Sequence, residues 1–316
     1  MFSVVIPLYN KENYINRAID SVLAQEFENF ELIVVDDGST DKSLDKIKFV
    51  SDPRLKVIKQ LNQGVGLARN KGITESKYEW IAFLDADDAW SEDHLSELSN
   101  IVRTFPDSHM VSTRTLQVKD SNKLPISTNT KFSNIRSIDY FYESSKVNGV
   151  ISSSSVAISK RVFKEIGGFS NKKIGEDIEY WVKIALSYPV AISERVTTYY
   201  FRDTNGVMQA YVKSIKEKPM MKKYSLYDIS PAISFILKES QNDPDILKRS
   251  NIRLYINTTL LDIVKASILD NNFCKAHDVS KLALPQLDRQ YIYMTLYKYT
   301  PNFFLKKVFS FYKRIK

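Results

Sequence analysis

One cysteine, Cys274, stands in the 316 residues of this chain. A single thiol excludes an intramolecular disulfide framework and any cysteine-rich metal site. Three histidines, His94, His109 and His277, fall in no metal-ligand spacing. No apolar run approaches the ~18 residues that a membrane-spanning helix needs. The N-terminal apolar stretch has no basic region before it and ends at Asn10-Lys11-Glu12, so it reads as a strand and not as a signal peptide. The expected location is the cytoplasm. An Arg-rich arm, a zinc-finger spacing and an aromatic RNA-binding signature are all missing, so nucleic acid is not an expected partner. The formal net charge of +8 instead suits a nucleotide or an anionic phospholipid. With 43% apolar residues the chain can bury a large core, as one large domain with an extension or as two domains.

What is present begins with Asp85-Ala86-Asp87-Asp88, directly after the apolar run Trp80-Ile81-Ala82-Phe83-Leu84. In extended backbone Asp85 and Asp87 would leave the strand on one side. Two carboxylates held that close repel unless a cation lies between them. Hard divalent ions such as Mg²⁺ and Mn²⁺ are bound by one or two carboxylates together with substrate phosphates. A metal-bridged diphosphate is therefore one reading. A turn in which Asp88 caps the next helix is the other.

The first half alternates apolar runs with amphipathic stretches. Strands are predicted over 3–8, 31–36, 55–59 and 79–84, and helices over 11–26, 41–50, 64–75 and 92–104. This alternation predicts a mostly parallel sheet covered on both faces, with ligands beyond the carboxyl ends of its strands. Pro7, Asp36-Asp37 and Asp85-Asp87 all fall at that edge. Further strands are predicted at Met110–Arg114 and Val156–Ile158. A polar loop is expected over 119–134. One helix is expected over 159–166, ended by Gly167-Gly168, and another from Glu176 to Pro189.

Five segments carry a resemblance in order and spacing. They are Ser3-Val4-Val5-Ile6-Pro7-Leu8-Tyr9-Asn10, Glu31-Leu32-Ile33-Val34-Val35 with Asp36-Asp37-Gly38-Ser39, Asn62-Gln63-Gly64-Val65-Gly66-Leu67-Ala68-Arg69-Asn70, the Asp85-Asp88 loop, and Gly167-Gly168-Phe169 followed by Gly175-Glu176-Asp177. The set resembles glycosyltransferase family 2, the inverting enzymes with the GT-A fold. The resemblance implies an α/β GT-A domain over 1–205 and leaves 206–316 as a helical C-terminal extension. It implies a hexosyltransferase-like enzyme that uses Mn²⁺ or Mg²⁺ and a nucleotide-sugar donor, most simply a UDP-sugar.

Individual roles follow from chemistry and from that resemblance together. Tyr9 can cover the face of a base, on a loop stiffened by Pro7. Asp37 can accept from a base N–H, as the family's second Asp of this motif does with uracil. Asn62 and Arg69 are implied to touch the donor or to brace the metal loop. Asp87 is the expected metal ligand. Asp85 ligates or holds the ribose, and Asp88 is a further candidate. An inverting transfer also needs a base opposite the leaving diphosphate. Glu176-Asp177 at a helix start suits ordinary helix-dipole placement as well as catalysis. The family order selects Asp177 as base, with Glu176 supporting it. Trp181, one turn on, reads either as an acceptor-sugar platform or as a core residue.

No Gln-x-x-Arg-Trp motif is found, which disfavours a processive synthase. A single-sugar transferase acting on a glycan or lipid-linked acceptor in surface-polysaccharide assembly fits better. Residues 301–316 combine Lys306, Lys307, Lys313, Arg314 and Lys316 with large apolar side chains and no acid. Such a segment either lies on an anionic membrane surface, at the inner face of the cell membrane, or packs against the domain. Two other functions compete: a nucleotidyltransferase forming nucleotide sugars, and a non-catalytic glycan-binding protein. The first should carry a Gly-rich N-terminal loop, and the second should have lost the acids at 37, 85, 87 and 177. Neither condition is met.

Overall fold

A computed structural model describes the chain except for residues 120–133, 148, 203–228, 271, 287–288 and 300–316. The predicted 119–134 loop and the basic tail lie almost wholly or wholly outside the described residues. The chain divides into two compact units, Met1–Ile138 with Gly149–Lys216, and Asp139–Asn148 with Glu217–Lys316.

The first unit is built on a nine-stranded sheet. In chain order its first half runs β1 (Phe2–Leu8), α1 (Ile15–Leu23), β2 (Phe30–Asp36), α2 (Ser43–Ile47), β3 (Leu55–Lys59), α3 (Val65–Glu75) and β4 (Trp80–Phe83). These four strands lie parallel in the order β3-β2-β1-β4. Every residue of β1 and β2 is buried, as expected of strands covered on both faces. Alternation sorts their side chains. Val4, Ile6, Leu8, Leu32 and Val34 pack with Ile15 and Ile19 of α1, whereas Ile33 and Val35 pack with Ala68 of α3.

The second half adds β5 (Ala89–Trp90), α4 (His94–Thr104), β6 (Met110–Val118), β7 (Ile135–Ile138), β8 (Val156–Ser159), α6 (Lys160–Ile166), α7 (Glu176–Ser187) and β9 (Val190–Phe201). Here the sheet is mixed. β8 is antiparallel to β4 and to β6, β9 is parallel to β6, and β5 and β7 are antiparallel to β9. The mostly parallel expectation thus describes the half built from β1 to β4. β9 is hidden in the sequence because Glu194-Arg195 interrupts its apolar pattern. Glu194 is neutralised by Arg114 Nε at 2.7 Å and Arg136 Nη2 at 3.0 Å.

Helix α3 sits unusually close to β1. A Cβ built on Gly72 would lie 2.3 Å from Val5 Cγ1 and 3.2 Å from its Cβ, which the valine cannot swing away. Gly72→Ala gains about 1 kcal/mol of helix propensity but overpacks this contact at a cost of about 1–3 kcal/mol. We expect a net loss of about 1 kcal/mol or more in a urea titration. A variant as stable as the parent would show that α3 can lift off β1 at no cost.

In the second unit lie α5 (Tyr140–Lys146), α8 (Pro231–Asn242), α9 (Ser250–Leu269), α10 (Phe273–Ser280) and α11 (Arg289–Tyr299). Side-chain caps start three of them. Asp139 accepts from Tyr142 N–H, Ser230 from Ile233 N–H, and Asn272 from Lys275 N–H. Their buried faces include Phe141, Ile236, Ile252, Ile256, Leu260, Val264, Ala276 and Met294. No helix among the described residues is long and apolar enough to cross a membrane.

Candidate functional site

The carboxyl ends of β1, β2 and β4 deliver the predicted residues to one edge of the sheet. Pro7 stands in a central strand, where a missing N–H is normally costly. Leu84 N–H donates to Val5 O at 3.1 Å on the β4 side, and Asp37 N–H donates to Leu8 O at 2.8 Å on the β2 side. Pro7 shares the parity of Val5, so its missing donor faces the β4 side. There β4 has already ended, its last pair being Val5 with Phe83. The gap between β1 and the loop after β4 is thus open without an orphaned amide. Tyr9, just beyond, is 47% exposed at this edge.

Asn10 is the one described non-glycine residue with positive φ, at 52°. Its Oδ1 accepts from Thr40 N–H at 2.8 Å, and its own N–H donates to Ser39 Oγ at 3.1 Å. These bonds tie the β1 loop to the β2 loop. Asp37 is 2% exposed and accepts from Gln60 Nε2 at 2.7 Å, Gln63 N–H at 2.9 Å and Gly64 N–H at 2.8 Å. The carboxylate therefore organises the loop that starts α3, and Gly64 meets it at φ 95°. Asn62 of the same loop is exposed.

The acidic loop is a turn, not the extended segment expected from the sequence. Asp88 N–H donates to Asp85 O at 3.0 Å, and the three carboxylates take separate partners. Asp85 Oδ1 accepts from Arg69 Nη2 at 2.7 Å. Asp87 Oδ2 accepts from Lys11 Nζ at 2.5 Å. Asp88 is 1% exposed and accepts from Ser154 Oγ at 2.5 Å and from Phe201 N–H at 3.2 Å. The turn sends Asp88 inward, where it locks the loop to β9. Its reading as a metal ligand is corrected on that ground. Burial pushes its carboxyl well above the usual range, and the negative charges of Asp85 and Asp87 add to the rise.

Arg69 connects this loop to the candidate base. Its Nη1 donates to Glu176 Oε1 at 2.9 Å while Nη2 holds Asp85, and the guanidinium lies 5.3 Å from the Phe169 ring centroid. Burial works against its charge, but Asp85, Glu176 and Asp177 together outweigh burial and raise its pKa. For Glu176 burial is the larger influence and raises the carboxyl, with Arg69 opposing. Asp85 is likewise raised by burial, opposed by Arg69 and reinforced by Asp87 and Asp177.

Helix α7 begins at Glu176 after Gly175, which takes the left-handed φ of 76°. Two further close approaches fix the segment before it. A Cβ on Gly66 would meet Ser170 O at 2.4 Å. Asn70 Nδ2 donates to Phe169 O at 2.8 Å, and Phe169 N–H donates back to Asn70 Oδ1 at 2.9 Å. Asp177 Oδ2 accepts from Ser153 Oγ at 3.1 Å. Trp181 is 1% exposed and packs among Phe83, Phe169 and Tyr180. It offers no face to a sugar, so the acceptor-platform reading is replaced by the core reading.

Sequence reasoning missed Asn10, Lys11, Arg17, Ser153 and Ser154. The last two belong to the run Ser152–Ser155, which closes on itself through a capping box. Ser154 Oγ also accepts from Asp85 N–H at 3.1 Å. Four hydroxyl residues directly before a central strand were the available signal. Ser153→Ala removes a donor to Asp177. Hydrogen bonds to charged groups are worth about 1.5–3 kcal/mol, so loss of alignment should lower kcat about 10-fold or more with KM unchanged. Ser153→Thr should restore it. Equal kcat in Ser153→Ala would show that Asp177 is aligned by its helix alone.

Asp85 and Asp87 present hard oxygen ligands, and each already faces a positive group. This donor set fits a divalent cation shared with phosphate oxygens. Among the described residues no group of three or more His, Cys, Asp or Glu forms a self-sufficient metal site. The histidines fit that picture where they are central: His94 is buried, stacked on Trp90 at 4.1 Å, and pushed down to about 3 by burial.

The chain is similar to known proteins in sequence and in fold. A glycosyltransferase of Nostoc sp. described as uncharacterized is 45% identical over 112 residues, which is 34% of this chain and 34% of its own length. The minor teichoic acid biosynthesis protein GgaA of Bacillus subtilis is 40% identical over 126 residues, 37% of this chain and 28% of its own length. The matched stretches thus span well under half of those relatives. Among solved structures, residues 1–349 of S. aureus TarS in complex with UDP-GlcNAc superpose with a TM-score of 0.57 at 19% identity, covering 100% of this chain and 92% of that one. The mannosyltransferase PcManGT of Pyrobaculum calidifontis, in complex with GDP-Man and Mn²⁺, gives 0.50 at 18% identity, over 94% of this chain and 84% of that one. At these identities the likeness establishes the GT-A fold. Residues 3–167, from β1 to the glycine turn after α6, match the family model "Glycosyl transferase family 2", and the chain belongs to that family.

Proposed function

We propose that this chain transfers a single sugar from a UDP-sugar, with inversion and with the help of a divalent cation, to a glycan or lipid-linked acceptor in surface-polysaccharide synthesis. The observation that carries the reading is the Arg69 fork, which holds Asp85 of the acidic loop and Glu176 of the α7 start in one ion cluster. A donor carboxylate and the segment bearing a base thereby share one edge of the sheet. The TarS complex with UDP-GlcNAc and the teichoic acid role in the name of GgaA support the donor and pathway class.

In this reading Tyr9 covers the uracil and Asp37 fixes the loop against which the base lies, one carboxylate lone pair turned to the base N–H. Asn62 contacts the donor from the α3 loop. Asp87, with Asp85, holds Mn²⁺ or Mg²⁺, whose chemistry is to neutralise charge on the departing diphosphate. Asp177 accepts the proton of the attacking acceptor hydroxyl. Glu176 and Arg69 hold the Asp177 segment and Asp85 in register.

A panel of nucleotide sugars tested for slow hydrolysis, with Mn²⁺ and with chelator, is the direct test. Release of UDP from one UDP-sugar, dependent on metal, is the expected result. Turnover of a guanosine or cytidine donor only, or undiminished turnover in chelator, would overturn the donor or the metal assignment respectively. The basic tail is proposed to hold the enzyme at an anionic leaflet, each basic residue contributing about 1 kcal/mol. Deleting 301–316 should then lower sedimentation with anionic vesicles at low salt while sparing transfer to a soluble acceptor. Wild type that ignores such vesicles would leave the tail a packing element.

A further inference from the structure

The side chain assigned to the metal already carries a cation of the protein's own. Lys11 Nζ lies 2.5 Å from Asp87 Oδ2, with the two side chains only 18% and 16% exposed. Both backbones are pinned. Lys11 N–H donates to Ser43 Oγ at 2.9 Å, and the residues on either side of it are tied to the β2 loop through Asn10 and through Glu12 N–H to Asp41 Oδ2 at 3.0 Å. On the other side, Arg17 Nη2 donates to Asp87 O at 2.5 Å, with its guanidinium 3.6 Å from the Phe201 ring centroid. The lysine's four-carbon stem is therefore the adjustable part of the contact.

Asp87 stands in a cluster with Asp85 and Asp88, whose charges oppose one another. A bare Asp87 carboxylate there would be unfavourable, and an ammonium on one oxygen relieves it. A divalent ion offers more charge. It must first displace the ammonium and lose water, which magnesium-like ions do reluctantly unless phosphate oxygens complete their shell. We propose that Lys11 is a resident counter-cation for Asp87 that competes with the divalent ion, so that metal enters efficiently only together with the nucleotide diphosphate. The inference rests on the proposed metal role of Asp87 and adds an order of loading to it. It also gives Lys11 a second position, since the displaced ammonium stays on its pinned backbone at the edge where the diphosphate arrives.

Mn²⁺ binding to the full chain, followed by the paramagnetic resonance signal of free Mn²⁺, tests this without turnover. Without nucleotide, Lys11→Met should bind Mn²⁺ about 5- to 10-fold more tightly than wild type, the scale of one partly screened ion pair. Lys11→Leu should behave the same way, and Lys11→Arg should stay near wild type. Saturating UDP should shrink the difference between wild type and Lys11→Met. Equal or weaker Mn²⁺ binding by both neutral variants, in protein whose melting curve shows it folded, would overturn the competition while leaving Asp87 as ligand. Absence of Mn²⁺ binding by every form, even with UDP, would overturn the competition and the metal reading together. Asp87→Ala separates these cases, since it should lose Mn²⁺ binding with and without UDP.

Discussion

Asp87→Ala should abolish transfer, with a loss beyond about 10³-fold, and UDP affinity should no longer respond to Mn²⁺. The expectation follows from where the turn places each acid. One oxygen of Asp85 is taken by Arg69, which leaves it a supporting ligand, and Asp88 is held inward by Ser154 and Phe201, so neither replaces Asp87. Asp87 points instead toward a lysine stem that can move. Calorimetry of UDP binding with Mn²⁺ and with chelator reads the effect directly. The two titrations should differ in wild type and coincide in the variant. If the variant keeps metal-dependent binding, the ion is held elsewhere. Fold is not at stake in this comparison, because the turn is closed by main-chain bonds and by Arg17 on the Asp87 carbonyl, which the substitution spares.

Asp177→Asn should leave UDP binding nearly intact and cut turnover about 10²-fold or more, about 2.7 kcal/mol of barrier. Asparagine keeps the size of the side chain and can still accept from Ser153, so the α7 start is retained. What it loses is the capacity to take a proton. Steady-state kinetics with saturating donor separates this from a binding defect, since KM for the donor should stay constant. Turnover within a few-fold of wild type would move the base to another group. Glu176 is a poor substitute, being buried and bound to Arg69. The anomeric configuration of the product, read by proton coupling, tests inversion in the same preparation.

The parts legible in the sequence were those whose signal is local. β1 to β4 are short runs rich in apolar residues that end in polar turns, which is enough to place them as strands. The loops after them could be placed at one edge before any coordinate was known. The rest depended on what stands opposite. Helical spacing put Trp181 on the face of Asp177, but not against Phe83 and Phe169. The Asp-x-Asp spacing suggested extended backbone, and a single main-chain bond from Asp88 to Asp85 turned it and sent Asp88 into the core. Ser153 and Ser154 read as loop composition because their partners, Asp177 and Asp88, lie 24 and 66 positions away. β9 was obscured by Glu194-Arg195, whose charges are cancelled by Arg114 of β6, Arg136 of β7 and Glu97 of α4, which no local window includes.

The bonds that close the site also fix when it can exist. Arg69 and Glu176 are 107 residues apart, and Asp88 and the Phe201 amide 113. At a synthesis rate of about 5–20 residues per second, the acidic loop leaves the ribosome several seconds before the strand that anchors it. During that interval Arg69 lacks Glu176 and Asp88 lacks the Phe201 amide. β9, which stands between β6 and β5 in the finished sheet, is still missing. A nascent chain that has completed only the stretch matching the family model would carry the donor motifs without a working site. On the proposed activity, a truncation placed between α6 and α7 should show no sugar transfer, because it lacks both Glu176 and the Phe201 amide.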